Sequence, residues 1–164
     1  MSYAVLFVLT VVGANWAIST FGLVPVGFGL LAPAGVYFAG LAFCLRDLAQ
    51  EKIGKLGVFA AILIGAGLSA FLSPGLALAS GVAFLVSEML DFAVYTPLRK
   101  RAWLGAVAAS NVVGAVADSV IFLALAFGSQ EFLAGQVVGK LWVTVLFLPF
   151  LWLTRRRLDV VPHG

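Results

Sequence analysis

Residues 3–45 read YAVLFVLTVVGANWAISTFGLVPVGFGLLAPAGVYFAGLAFCL, a run of 43 positions without one Asp, Glu, Lys or Arg. As a single helix it would extend roughly 65 Å at 1.5 Å per residue, about twice the hydrocarbon thickness of a bilayer. Two membrane spans must therefore share it. The break falls between Gly22 and Pro33, where Pro25, Gly27 and Gly29 interrupt the apolar sequence, because these residues mark turns rather than helix interiors. Span one is expected over about Tyr3–Thr20 and span two over about Leu31–Leu45.

The rest of the chain divides by the same reasoning into span three (Leu56–Leu72), span four (Leu76–Thr96), span five (Trp103–Phe127) and span six (Ala134–Thr154). Composition agrees: 63% of residues are hydrophobic and 10% charged, with a mean hydropathy of +1.13, against about 25% charged in a soluble domain. Backbone facing lipid must satisfy its own hydrogen bonds, so the spans are helices, and the alternating ten-residue segments of a β-barrel are not seen. The expected architecture is an all-α integral membrane protein, one six-helix domain over residues 1–154 followed by a short basic tail, 155–164. The apolar start at Tyr3 carries no basic leader or cleavage site, which reads as a retained span rather than a signal peptide. Cys44 stands alone in an apolar run and is a packing residue.

Nine of the ten basic residues fall in three clusters: Arg46, Lys52 and Lys55; Arg99, Lys100 and Arg101; Arg155, Arg156 and Arg157. They follow spans two, four and six. The connections around Gly22, Ser73 and Gly128 hold none, so the positive-inside rule predicts that both termini are cytoplasmic. The net charge of +3 thereby reflects topology, and no basic face or soluble module points to nucleic acid. Catalysis has little support: the one histidine, His163, lies in the tail, no metal-ligand cluster is present, and no serine stands beside a base. Gly65 and Gly67 are helix-packing glycines, since no P-loop lysine follows them.

A repeat shows at an offset of 41. Pro33, Gly40, Ala42 and Phe43 recur as Pro74, Gly81, Ala83 and Phe84, while Asp47 and Gln50 align with Glu88 and Asp91. Spans two and four would then be copies running in one direction, as in transporters built from parallel repeats.

Polar residues at membrane depth carry the functional signal. An ionised group in hydrocarbon is costly unless paired or wetted, so it marks a pathway or a binding site. Glu88, Asp91 and Tyr95 share one side of span four, Asn111 and Asp118 nearly one face of span five, and Gln136 and Lys140 are an i, i+4 pair. Counted from the span ends, Asn15, Asp118 and Lys140 all lie roughly 5–7 Å to the outer side of the midplane. An amide, a carboxylate and an ammonium from three helices thus meet at one level. The alternative is an Asp118–Lys140 pair that only fixes helix register, although small residues such as Gly65, Gly114 and Ala115 already serve packing. Asp91 is placed to meet Arg99 or a neighbouring loop as readily as a substrate. Phe84, Phe122 and Trp16 are candidates for stacking on a flat ligand, whereas Trp103, Trp142 and Trp152 suit the membrane interface.

The ordered set of Asn15; Asp47 and Gly54; Ser87, Glu88, Asp91 and Tyr95; Asp118 and Ser119; and Lys140 with Leu146 to Phe150 resembles the vitamin uptake transporter family, better described as queuosine precursor transporters. The resemblance spans nearly the whole chain. It implies an importer of 7-cyano-7-deazaguanine or its aminomethyl relative in the bacterial cytoplasmic membrane. It also implies a six-helix fold similar to the substrate-binding subunits of energy-coupling-factor transporters, with no cofactor. By position, Asn15, Asp47, Glu88, Asp91, Asp118 and Lys140 would carry the family's roles. Glu88 and Gln136 depart from its pattern, standing where some relatives have an amide and an acid respectively.

The chemistry suits such a guest. A carboxylate, Asp118 or Glu88, accepts from the N1 and N2 donors of a deazaguanine, while Lys140, Asn15 and Gln136 donate to O6 or the nitrile. Phe84 and Phe122 complete the expected substrate-binding set, with Asp47 and Asp91 assigned to coupling or gating. Two energy sources are open: a lone carrier in which Glu88 or Asp91 relays a proton, or a substrate-binding subunit, which would also suit another small vitamin or nucleobase-like solute, docking on an ATP-driven module through small residues such as Ala66 and Ala70. A homo-oligomer is a further partner to consider. From another class comes a non-transporting scaffold whose buried charges only hold helices together.

Overall fold

The computed structural model describes residues 3–98 and 101–159, the side chains of residues 47, 51, 92, 103, 104, 151, 152 and 154–159 excepted. Five helices and one β-hairpin follow in the order α1 (Tyr3–Phe21), β1 (Leu23–Gly27), β2 (Leu30–Pro33), α2 (Val36–Ala70), α3 (Pro74–Leu98), α4 (Trp103–Phe127) and α5 (Leu133–Asp159).

The break inside the charge-free run is where the structure adds an element. Gly22, at a φ of +64°, ends α1, and β1 then pairs antiparallel with β2, Val24 opposite Ala32 and Pro25 opposite Leu31. Gly27, Phe28 and Gly29 all take positive φ at the tip, a conformation open to glycine but strained for Phe28. Residues 31–33, expected to open span two, are therefore strand, and the helix begins at Val36. Alternation did not announce the hairpin, because its residues are apolar on both faces.

α2 comprises two helical legs joined at Gly54, whose φ of 69° and ψ of 178° lie in a region essentially reserved for glycine. Contacts set the direction of each leg. Along the first leg and α3, Phe43 meets Phe84 and Arg46 meets Glu88 and Asp91, so the partners advance together and these two helices run parallel, as the offset-41 repeat requires. The second leg joins α3 through only residues 71–73 and faces it with Ala66 near Gly81, which makes that pair antiparallel. The chain reverses at Gly54, and six helical legs result.

Five helical stretches are long and apolar enough to cross a membrane: Tyr3–Phe21, Lys52–Ala70, Pro74–Leu98, Gly105–Phe127 and Leu133–Phe150. The first leg of α2 is not among them. Its Arg46 corrects one expectation, since it was grouped with cytoplasmic interface anchors yet is fully buried. Two acids on α3 compensate its charge, as described below.

Helix ends follow local chemistry. Ser73 Oγ accepts from Leu76 N at 3.4 Å before α3, capping an otherwise unpaired donor. Gly128, in the left-handed conformation, closes α4 through its N–H to Ala124 O, the usual glycine C-terminus. Close helix contact rests on small residues: a Cβ on Gly40 would fall 3.1 Å from Lys140 Cα, and one on Gly65 3.0 Å from Val11 Cβ. The main core joins Phe7, Phe43 and Phe84 with Val58, Ile62 and Val107. Phe43 and Phe84 stack with centroids 4.9 Å apart and planes 17° from parallel, and Phe7 leans on Phe84 at 5.5 Å.

Candidate functional site

All five helices contribute to one cleft of about 50 Å³, tighter than the 300–1,000 Å³ common for small-molecule sites. α1 supplies Thr10, Ala14, Asn15 and Ile18; α2 supplies Ala39, Ala42 and Ile62; α3 supplies Ser80 and Phe84; α4 supplies Asp118 and Phe122; α5 supplies Gln136 and Lys140. Asn15, Phe84, Asp118, Phe122, Gln136 and Lys140, scattered over 126 positions of sequence, therefore share one wall system.

Lys140 is the central cation. Its Nζ donates to Asp118 Oδ2 at 2.6 Å and to Ser119 Oγ at 2.8 Å, and Ser119 spends its own proton on Ala115 O at 2.6 Å. Lys140 is 1% and Asp118 6% exposed, so the pair sits in a low-dielectric setting where geometry has to offset desolvation. An ammonium has three protons, and two are used here. The backbone of Lys140 approaches α2 closely because residue 40 is glycine, which brings the ammonium-bearing turn against the first leg.

Asn15 is buried completely and its Nδ2 donates to Ser80 Oγ at 3.2 Å. Ser80 in turn donates to Ala77 O. With its proton committed, Ser80 offers only lone pairs to Asn15, which fixes the amide with nitrogen toward Ser80 and oxygen away. Asn15 Oδ1 is left without a hydrogen-bond partner, and so is Gln136 Oε1, on a residue 2% exposed. Buried polar atoms are nearly always paired, so each exception asks for a partner. Ser80 takes one of the two Nδ2 protons of Asn15, so the amide keeps one N–H to donate and an open oxygen to accept.

Glu88 is placed elsewhere. It is not among the cleft-lining residues and lies with Asp91 around Arg46: Arg46 Nε is 3.0 Å from Glu88 Oε2, and Nη2 is 2.7 Å from Asp91 Oδ2, the three side chains being at most 4% exposed. Phe84 precedes Glu88 by one turn, and Phe43 precedes Arg46, so the stacked rings stand between cleft and cluster. Arg46 is the residue that sequence reasoning missed as functional. The available signal was balance, since two acids one turn apart in an apolar span demand a base from a neighbour. The side chain of Asp47 lies outside the described residues, as do Arg99 and the ring positions of Trp103 and Trp152.

Trp16 is half exposed and packs edge-on against Phe21 rather than lining the cleft. Trp142 stacks on Phe28 of the hairpin tip with centroids 6.1 Å apart. Among the described residues no group of three His, Cys, Asp or Glu is arranged to hold a metal ion.

The model of a family of vitamin uptake transporters matches residues 70–154, just over half of the chain. The chain belongs to the vitamin uptake transporter family. The matched segment holds Ser80, Phe84, Glu88, Asp91, Asp118, Gln136 and Lys140, while Asn15, the hairpin and Arg46 come from the part before it. Together with the long apolar helices, membership makes the chain a multi-pass membrane protein. Comparison with curated proteins and with solved structures gives no match.

Proposed function

We propose that the chain imports a queuosine precursor, 7-cyano-7-deazaguanine or its aminomethyl analogue, across the cytoplasmic membrane of a bacterium, crossing six times with both termini inside. The observation that carries this reading is the Asp118–Lys140 pair in the wall of a membrane-buried cleft whose other buried polar atoms, Asn15 Oδ1 and Gln136 Oε1, lack partners. A deazaguanine matches that set. Its N1 and N2 hydrogens meet acceptor oxygens, Asp118 Oδ1 included, while O6 takes the third proton of Lys140. Phe84 and Phe122 supply apolar faces for the flat ring. The lysine and arginine clusters after alternate spans support the orientation.

The decisive experiment is uptake of labelled base by cells that cannot make queuosine, with and without this chain. Equal uptake would refute the reading and favour a scaffold. Binding to purified protein refines it: Asp118→Asn and Lys140→Ala should each weaken affinity at least tenfold, and full affinity in both folded variants would remove the cleft as the site. A second reading, a substrate-binding subunit serving an ATP-driven module, is favoured by an apolar groove between the second leg of α2 and α3 that includes Ala66, Ala70 and Ala77. Vesicles containing only this protein distinguish the two, since a dependent subunit would accumulate nothing there.

A further inference from the structure

Two side-chain amides line the cleft, and they are held differently. Asn15 is anchored: its Nδ2 donates to Ser80 Oγ at 3.2 Å, and Ser80 Oγ donates to Ala77 O at 3.3 Å. Turning this amide over would set Oδ1 against the Ser80 oxygen unless the hydroxyl left Ala77 O, so the inverted form costs a hydrogen bond. Gln136 has no such anchor. Its Oε1 is buried without a partner, and nothing among the described residues bonds its amide nitrogen, so it presents oxygen or nitrogen at the cost of a rotation alone.

That difference decides which amide tells guests apart. A freely turning amide pairs with a donor or an acceptor alike. A fixed one pairs with a donor and leaves an opposing acceptor unmatched in a buried wall, and such mismatches are the strongest source of discrimination between analogues. Asn15 Oδ1 is the fixed group, unpartnered on a residue with 0% exposure. In the base proposed above, O6, N1–H and the 2-amino group follow one another along one edge. Lys140 and Asp118, in contact at 2.6 Å, suit the adjoining O6 and N1–H, which leaves the 2-amino group for an acceptor on another helix.

We infer that Asn15 Oδ1 is the specificity determinant for the exocyclic 2-amino group of the base, and that Ser80 is the positioning residue that keeps this oxygen turned to the guest. The cleft thereby takes bases with an amino-oxo edge, as in guanine, over those with a dioxo edge, as in xanthine. Ser80 acts through the amide of Asn15, and Ala77 O acts through Ser80. This inference rests on the reading of the cleft as a base-binding site and adds which edge is selected there and by which residues.

The test compares two affinities of purified protein in lipid nanodiscs, for 7-cyano-7-deazaguanine and for its analogue with oxygen in place of the 2-amino group. Wild type should prefer the amine by at least about tenfold, the worth of one hydrogen bond. Ser80→Ala frees the amide to turn, so the preference should fall to within about threefold, with the oxo analogue binding more tightly than it does to wild type. Ser80→Thr keeps the hydroxyl and should keep the preference. In an Asn15→Leu background, Ser80→Ala should leave the ratio of the two affinities unaltered; if Asn15→Leu does not fold, the ratios of wild type and Ser80→Ala decide. A bond that only ties α1 to α3 would lower the melting temperature and move both affinities together, so an undiminished preference in Ser80→Ala overturns the assignment. Equal binding of both bases by wild type overturns the assignment alone, whereas wild type binding neither base refutes the substrate reading and the assignment with it.

Discussion

Replacing Lys140 with methionine keeps the length of the side chain and removes its charge, leaving Asp118 in a nearly dry wall with an unpaired carboxylate. The Nζ–Oδ2 separation is 2.6 Å, and at an effective dielectric of about 20 the direct attraction is roughly 6 kcal/mol. Much of that only offsets desolvation, so the cost of breaking a buried pair by removing one partner is about 3–5 kcal/mol. For a chain of this length that corresponds to a drop on the order of 10 °C in melting temperature. The double variant Asp118→Asn/Lys140→Met abolishes both charges and should recover to within about 1 kcal/mol of wild type, because an apolar replacement of a buried ion pair is often neutral. Thermal unfolding of the four proteins in one detergent forms a double-mutant cycle. Base binding, measured in parallel, should be lost in the single and the double variant alike. The reasoning fails if the loss in the double variant equals the sum of the losses in the two single variants, since the two side chains would then be energetically independent, or if the stable double variant still binds.

Three further substitutions probe other parts of the argument. Phe84→Ala removes the ring between Phe7 and Phe43 and should cost about 3–5 kcal/mol of stability, the range for a buried aromatic, read as a lower midpoint in denaturant. Gly54→Ala places a Cβ where the backbone requires φ 69° and ψ 178°; a loss of about 1–3 kcal/mol is expected, and an unchanged melting temperature would contradict the reversal at that residue. Gly135→Ala drives a methyl group into Leu31 O of the hairpin, so the hairpin should lift from α5, measurable as faster amide exchange across Leu30–Pro33 while the α3–α4 pair keeps its protection.

Much of the architecture was legible because its signals are long. A charge-free run of 43 residues is too long for one pass, and the structure divides it into α1, the hairpin and the start of α2; the axial rise of a helix was enough to put Asn15, Asp118 and Lys140 at one level, where the structure joins them around a single cleft. The features missed depend on neighbours. Arg46 sits beside Asp47 at the edge of a charged segment and looked like an interface anchor; only the tertiary placement of α3 beside α2 shows that it faces Glu88 and Asp91. Counting depth along span four set Glu88 near the cleft, but depth carries no azimuth, and its side chain turns to Arg46 instead. The hairpin escaped because Leu23–Gly27 and Leu30–Pro33 are apolar on both faces, and Pro25 argued against a strand. Donor and acceptor roles were likewise beyond spacing: that Asn15 offers oxygen follows from Ser80 having committed its hydroxyl proton to Ala77 O.

Trp142 stands two residues beyond Lys140 on α5, and its indole, stacked on Phe28, is 44% exposed. An intrinsic fluorophore is thereby mounted on the outer side of the helical turn that presents the ammonium. With Trp16, Trp103 and Trp152 changed to phenylalanine, its emission would register any parting of hairpin and helix as it happens, turning a packing detail into an optical clock for the working cycle.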